Sequence, residues 1–413
     1  MDCGSPSGDY RTIWRIVKGG ENVATVATGQ SNWANASARG KARKAGLIDP
    51  TRLRQLLQQS PDSIASSIAE FGYRAELDLY ADKLSGADLV ETALNHNMDR
   101  DLAQVLGFCQ GHLKNLVSIY VERFTYQKVK TALRAIRSGV SLEEVASHVL
   151  PEQNEVNAPW LELVNTCDTL QDAASALEGT QFGRALLELD GSDDLMAYED
   201  ALDRHYYASS TKKLREGTTR HPMLLRYLRT EIDHRNVINL FRALRQGLSA
   251  EQRNELMLNG GKSITSTFLR QAAEADSEEA LLEILRRAPG FDDTGFDEAL
   301  IAYKEKGTLD PIVNILSSQR LNLLSRMNML NPLSAFPLIY YIESKVLEVQ
   351  NLRLLVRGKA AGLSDELIEA HLGLCGGIWN GDSSCRHSRV LPRFPTCGNH
   401  PHTEPAKRGG DAE

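Results

Sequence analysis

The chain has 413 residues, long enough at about 150 residues per domain for two or three domains that each bury a core, which excludes a disulfide-stapled miniprotein. Aromatic residues make up 6%, and 31 glycines with 14 prolines leave turn punctuation sparse, so helix formers dominate and the composition leans to all-α. A formal net charge of -7 argues against a wholesale nucleic-acid binder and falls short of a heavily acidic salt-adapted surface.

In chain order, residues 1–30 carry no apolar period, and Asp2, Asp9 and Arg11 stand where a signal peptide needs a continuous apolar core, so export is not expected. Leu102, Val105, Leu106, Cys109, Leu113, Leu116, Val117 and Tyr120 recur with the 3.6-residue period of a helix face, which makes Cys109 a small buried hydrophobe. Asp193 with Asp194, and Asp292 with Asp293, fall in glycine-rich turns and read as solvated or helix-capping acids. Asn259-Gly-Gly-Lys-Ser263 resembles the end of a phosphate loop, but Leu256 stands where that motif needs glycine, so the segment reads as a turn between helices. Leu333 to Ile342 is the most apolar run; at ten residues it is a buried helix start, since a membrane span needs about 20. Cys375, Cys385, His387, Cys397, His400 and His402 supply zinc-type ligands without a CxxC knuckle, in a tail rich in Gly, Pro, Ser and Arg that reads as lying outside the fold. No histidine pair has HExxH spacing and no GxSxG elbow occurs, so no catalytic, metal or cofactor site is expected.

The strongest signal is internal repetition. Val129-Lys-Thr-Ala-Leu-Arg-Ala-Ile-Arg-Ser-Gly139 aligns without gaps with Val237-Ile-Asn-Leu-Phe-Arg-Ala-Leu-Arg-Gln-Gly247 and with Leu352-Arg-Leu-Leu-Val-Arg-Gly-Lys-Ala-Ala-Gly362. Each copy places an arginine (Arg134, Arg242, Arg357) 5 residues before its glycine and a serine (Ser141, Ser249, Ser364) 2 after it. Such a glycine closes a helix in the left-handed region, and the serine caps the next one, with Glu144 and Gln252 placed to complete capping boxes. Glu91-Thr-Ala-Leu94 and Glu199-Asp-Ala-Leu202 both sit 48 residues before their glycines, whereas Asp297-Glu-Ala-Leu300 sits 65 before Gly362, implying an insertion of about 17 residues. Phe71, Phe182 and Phe291 recur at intervals of 111 and 109, so the unit is a helical domain of roughly 110 residues. Three such units make a scaffold of approximate threefold character, either an open string or a closed ring or funnel with an axial socket. The arginine columns admit two uses: Lys130, Arg134 and Arg137 share a helix face that suits an acidic partner or lipid headgroups, or local ion pairs.

With Asn32-Trp-Ala-Asn-Ala-Ser-Ala-Arg-Gly-Lys-Ala-Arg, Ser85-Gly-Ala-Asp-Leu-Val-Glu-Thr-Ala-Leu94, Leu177-Glu-Gly-Thr-Gln-Phe182 and Glu348-Val-Gln-Asn-Leu-Arg-Leu-Leu-Val-Arg357 in this order, the chain resembles the C subunits of the archaeal and bacterial A/V-type rotary ATPases, relatives of the eukaryotic d subunit. The resemblance runs from about Ser31 to Leu374. It implies an all-α funnel of three related domains, 31–150, 151–258 and 259–374; both ends depart from the family, with 1–30 expected to be disordered or a non-native extension and 375–413 disordered or an aberrant tail. It also implies a non-catalytic coupling subunit without cofactor or metal. Such a subunit lies peripherally on the cytoplasmic face of the membrane and joins central-stalk subunits of the D and F type to the proteolipid ring. Arg134, Arg242, Arg357, Gly139, Gly247 and Gly362 are carried forward as repeat-equivalent structural or interface positions, with no nucleic-acid partner expected. A helical-repeat adaptor outside any rotary ATPase is the competing expectation.

Overall fold

The computed structural model describes residues 29–189 and 191–372, and among these every regular element is helical. The principal helices are α1 (Trp33–Ala45), α2 (Gly86–Phe108), α3 (Gly111–Ser138), α4 (Leu195–Arg215), α5 (Pro222–Arg245), α6 (Phe296–Lys306), α7 (Asp310–Leu330) and α8 (Phe336–Ala360), with shorter helices between them. The predicted stop-and-start signal is present in all three copies. Gly139, Gly247 and Gly362 have φ of +64, +69 and +71°, the left-handed region that glycine enters without a Cβ penalty. Ser141, Ser249 and Ser364 then accept hydrogen bonds from the backbone N–H groups of Glu144, Gln252 and Leu367 at 3.2, 3.3 and 3.3 Å. Only the second copy closes a full capping box, with Ser249 N donating to Gln252 Oε1 at 2.9 Å; Glu144 does not return the bond.

The stripe through Cys109 is buried as expected, but it spans two helices. α2 ends at Phe108 and α3 begins at Gly111, because Asn32 binds both sides of the corner: Nδ2 donates to Phe108 O at 2.7 Å and Oδ1 accepts from Gln110 N at 3.0 Å. Gly111 is fixed there by its φ of +54° and by Gly29 O, which a Cβ would meet at 2.5 Å. Apolar period survives a hairpin corner when both arms face one core, so periodicity alone does not reveal the break.

The apolar run behaves as a buried helix start: Leu333 is exposed, and Phe336–Lys345 of α8 are continuously buried. α1 lies directly on α8, where a Cβ at Gly40 would meet Leu338 Cδ2 at 2.9 Å and Pro337 O at 3.2 Å. No helix among the described residues is long and apolar enough to cross a membrane.

Six long helices touch in a closed circuit: α2 on α3, α3 on α4, α4 on α5, α5 on α7, α7 on α8, and α8 back on α2. Buried apolar side chains collect in three clusters. One combines residues 48–94 with 349–372, one holds Val237 to Leu316, and the largest lies between them. α2, α5, α7 and α8 each run out of one cluster into another. Bending one cluster away from its neighbour therefore requires breaking a continuous helix.

Candidate functional site

Two of the three repeat arginines, Arg134 and Arg357, mark seams between copies. On the α3–α4 seam, Arg134 makes a two-pronged bond to Glu199, Nε to Oε1 at 2.6 Å and Nη2 to Oε2 at 2.9 Å. One turn away Lys130 Nζ meets Asp203 Oδ1 at 2.6 Å, with Lys130 almost fully buried. The α8–α2 seam repeats the pattern at the same positions. Arg357 meets Glu91 at 2.6 Å and Asp88 at 2.9 Å, and Arg353 donates to Asn95 Oδ1 at 2.6 Å. Counted from each copy's glycine, both seams join residues at 5 and 9 before one glycine to residues at 48 and 44 before the next. With Arg137 at 3.0 Å from Asp193, all three cations of the Lys130, Arg134 and Arg137 face are spent on internal pairs.

The α5–α7 seam departs from this. Its corresponding residues are Arg242 with Asn314 and Ile238 with Ser318, and Arg242 forms no ion pair among the described residues. The acidic motif aligned through the insertion, Asp297, sits on α6 and meets Arg286 at 2.5 Å instead. The inserted residues give the third copy an extra helix: α6 stops at Gly307, φ +65°, and α7 makes the main contact with α5, which α6 reaches through Tyr303 edge-on to Phe241 at 6.0 Å.

Where α3, α4, α5, α7 and α8 converge, two arginines and two glutamates form a buried, balanced cluster that the sequence motifs do not announce. Arg123 meets Glu231 at 2.6 Å and Glu343 at 3.4 Å, while Arg320 meets Glu343 at 3.1 Å. Tyr120 donates to Glu343, Tyr207 donates to Glu231 at 2.9 Å, and the Arg123 guanidinium lies 4.0 Å from the Tyr120 ring centroid. Burial opposes ionisation of Glu231, but the guanidinium groups of Arg123 and Arg320 outweigh it and hold the carboxyl down at about 2. Arg123 and Glu231 each stand 16 residues before their glycine, so one repeat position from two copies meets here as an ion pair. That shared offset was the available signal. A further buried pair, Lys345 with Glu348 at 2.9 Å, ties α8 to Tyr73.

The remaining candidates have ordinary structural roles. Asp233 on α5 accepts the N–H groups of Lys262, Ser263 and Ile264 at 3.0, 2.7 and 3.1 Å, so a carboxylate of the chain itself fills the nest that a phosphate loop would offer. Asp194 caps α4 through Met196 N at 2.9 Å, and Asp293 meets Arg286 at 3.1 Å. Cys109 and Cys167 are buried, and burial pushes their thiols up to about 12 and 11. Cys3 and the tail from Cys375 to His402 lie outside the described residues. Among the described residues no group of three or more His, Cys, Asp or Glu side chains is placed to hold a metal ion.

Residues 36–371 match the family model of the ATP synthase (C/AC39) subunit. The chain belongs to that family. The A-type ATP synthase C subunit of Haloquadratum walsbyi is 30% identical over 347 residues, covering 82% of this chain and 97% of that relative. The corresponding C subunits of Methanococcoides burtonii and Haloferax volcanii are 29% and 30% identical, covering 83% and 84% of this chain and 94% and 98% of their own lengths. The seams, the central cluster and the circuit of long helices all fall within the matched C/AC39 region.

Proposed function

We propose that this chain is a non-catalytic coupling subunit of an A-type ATP synthase, seated peripherally at the cytoplasmic face of the membrane between the central stalk and the proteolipid ring. Its relatives are named as the C subunits of that complex. The observation that carries the mechanical part is the circuit of six long helices, held by paired seams and a buried ion cluster. A part that passes torque needs to resist bending and needs no nucleophile. Residues 31–150, 151–258 and 259–374 are the three related units in this reading, arranged as a funnel whose socket receives the D- and F-type stalk subunits. In support of approximate symmetry, the α3–α4 and α8–α2 seams use matching offsets, and Arg123 and Glu231 meet from equivalent positions.

The test is affinity capture of the full chain from solubilised membranes. Stalk and proteolipid subunits should both be recovered with it, and the purified chain alone should hydrolyse no ATP. Recovery of neither partner, or ATP turnover that tracks the chain through purification, would refute the assignment.

A further inference from the structure

The α5–α7 seam encloses a cleft of about 340 Å³, within the range of small-ligand sites. Its origin lies in a substitution between copies. On the α3–α4 seam Tyr126, 13 residues before its glycine, packs edge-on to the fully buried Phe182 at 4.9 Å. On the α5–α7 seam His234 stands at the matching position, 13 residues before Gly247, and this smaller ring and the half-buried Phe291 both line the cleft.

Two polar atoms are buried there without a partner, His234 Nδ1 and Gln319 Oε1, and His234 is 8% exposed. Burial, joined by the Arg320 charge, lowers His234 to about 4, so its ring is neutral at pH 7. Arg226, Lys262 and Arg326 also line the cleft, and none of the three forms an ion pair among the described residues. Facing them are Asp233, engaged by three backbone N–H groups, and the exposed Asp292. Met223, Leu323 and Met327 supply the apolar lining.

We propose that this cleft binds a small phosphomonoester of nucleoside monophosphate size. The antiparallel run seen on the two laddered seams places Arg226 and Arg326 at one end and His234 with Gln319 at the other. Eight residues of α5 separate Arg226 from His234, a helical rise of about 12 Å. The arginine pair meets the dianion, the methionines and leucine pack the body, and Gln319 Oε1 accepts from an amine or hydroxyl at the far end. A lipid chain offers no such donor. The ligand bridges α5 and α7 on a seam whose ladder positions, Ile238 and Arg242 opposite Ser318 and Asn314, form no ion pair among the described residues.

Isothermal titration calorimetry on the full chain tests this with adenosine monophosphate, using inorganic phosphate and adenosine as half-ligands. One site is expected, binding adenosine monophosphate at least about tenfold more tightly than inorganic phosphate. Arg226→Gln and Arg326→Gln should each weaken it by about tenfold or more, because each removes a charge-assisted bond. Both arginines are exposed, so the variants should retain the parent unfolding midpoint, and Arg137→Gln on the α3–α4 seam should leave binding unchanged. The proposal is overturned by no saturable heat up to about 5 mM nucleotide. It is equally overturned by binding indifferent to both arginine substitutions, or by inorganic phosphate binding as tightly as the nucleotide.

Discussion

The α3–α4 and α5–α7 seams are built from the same repeat positions and end up chemically opposite. In the first, Lys130 and Arg134 reach Asp203 and Glu199 at 2.6 Å, and Tyr126 closes the space beside Phe182. In the second, Ile238, Arg242, Ser318 and Asn314 replace that ladder, and His234 leaves a cleft. The α8–α2 seam, formed by the two ends of the described chain, has the ladder. Closure between residues hundreds of positions apart carries the larger loop entropy, and that seam keeps its polar ladder. The α3–α4 and α5–α7 seams both join consecutive copies, and only the first of them keeps the ladder.

Removing a member of the central cluster, which ties α8 to α3 and α7, should do the most damage. Glu343→Ala leaves the half-buried Arg123 and Arg320 with one carboxylate between them, and should destabilise the chain by about 3 kcal/mol in denaturant unfolding. The cluster also sets the acid response. Glu231 is held below its ordinary 4.5, so its contribution is present above about pH 4.5 and is lost as pH falls towards 2. His234 is held at about 4, so protonation of the unfolded chain begins to cost stability below about pH 6.5. His96, His205 and His221, also lowered by burial, act in the same direction, whereas Asp233, pushed up to about 6 by burial, acts in the opposite one, so His234→Gln should reduce the fall in unfolding midpoint below about pH 6.5 without removing it.

Within the seams the contrast is sharper. Asp203→Ala strands the buried Lys130 ammonium and should cost about 3 kcal/mol. Arg134→Ala and Arg357→Ala remove partly exposed pairs and should each cost about 1 kcal/mol, with Arg242→Ala near zero. The smallest expected effect is a gain. Asn314→Glu would place a carboxylate opposite Arg242 and should stabilise by about 0.5 kcal/mol, an increment that Arg242→Ala should erase in a double-mutant cycle.

The helical class and the helix stops were legible because they are local. Gly139, Gly247 and Gly362 announce left-handed closures, and the following serines announce caps, within a few residues of sequence. The arginine columns were legible as positions but not as bonds. Arg134 and Glu199 lie 65 residues apart and Arg357 and Glu91 lie 266 apart, and a cationic helix face looks alike whether it meets a partner or its own chain. The central cluster was hidden because Arg123, Glu231, Arg320 and Glu343 read singly as solvated helix charges. The corner at Cys109 was hidden because its cause, Asn32, is 78 residues from Gln110.

The central claim is that the chain couples the rotating stalk to the ring, and membrane vesicles carrying the complex test it most directly. ATP hydrolysis and the ATP-driven ion gradient should be measured together, before and after selective removal of this chain and again after its return. Coupling predicts that hydrolysis continues without the chain while the gradient collapses, and that adding the chain back restores the gradient. A gradient that survives removal of the chain would contradict it.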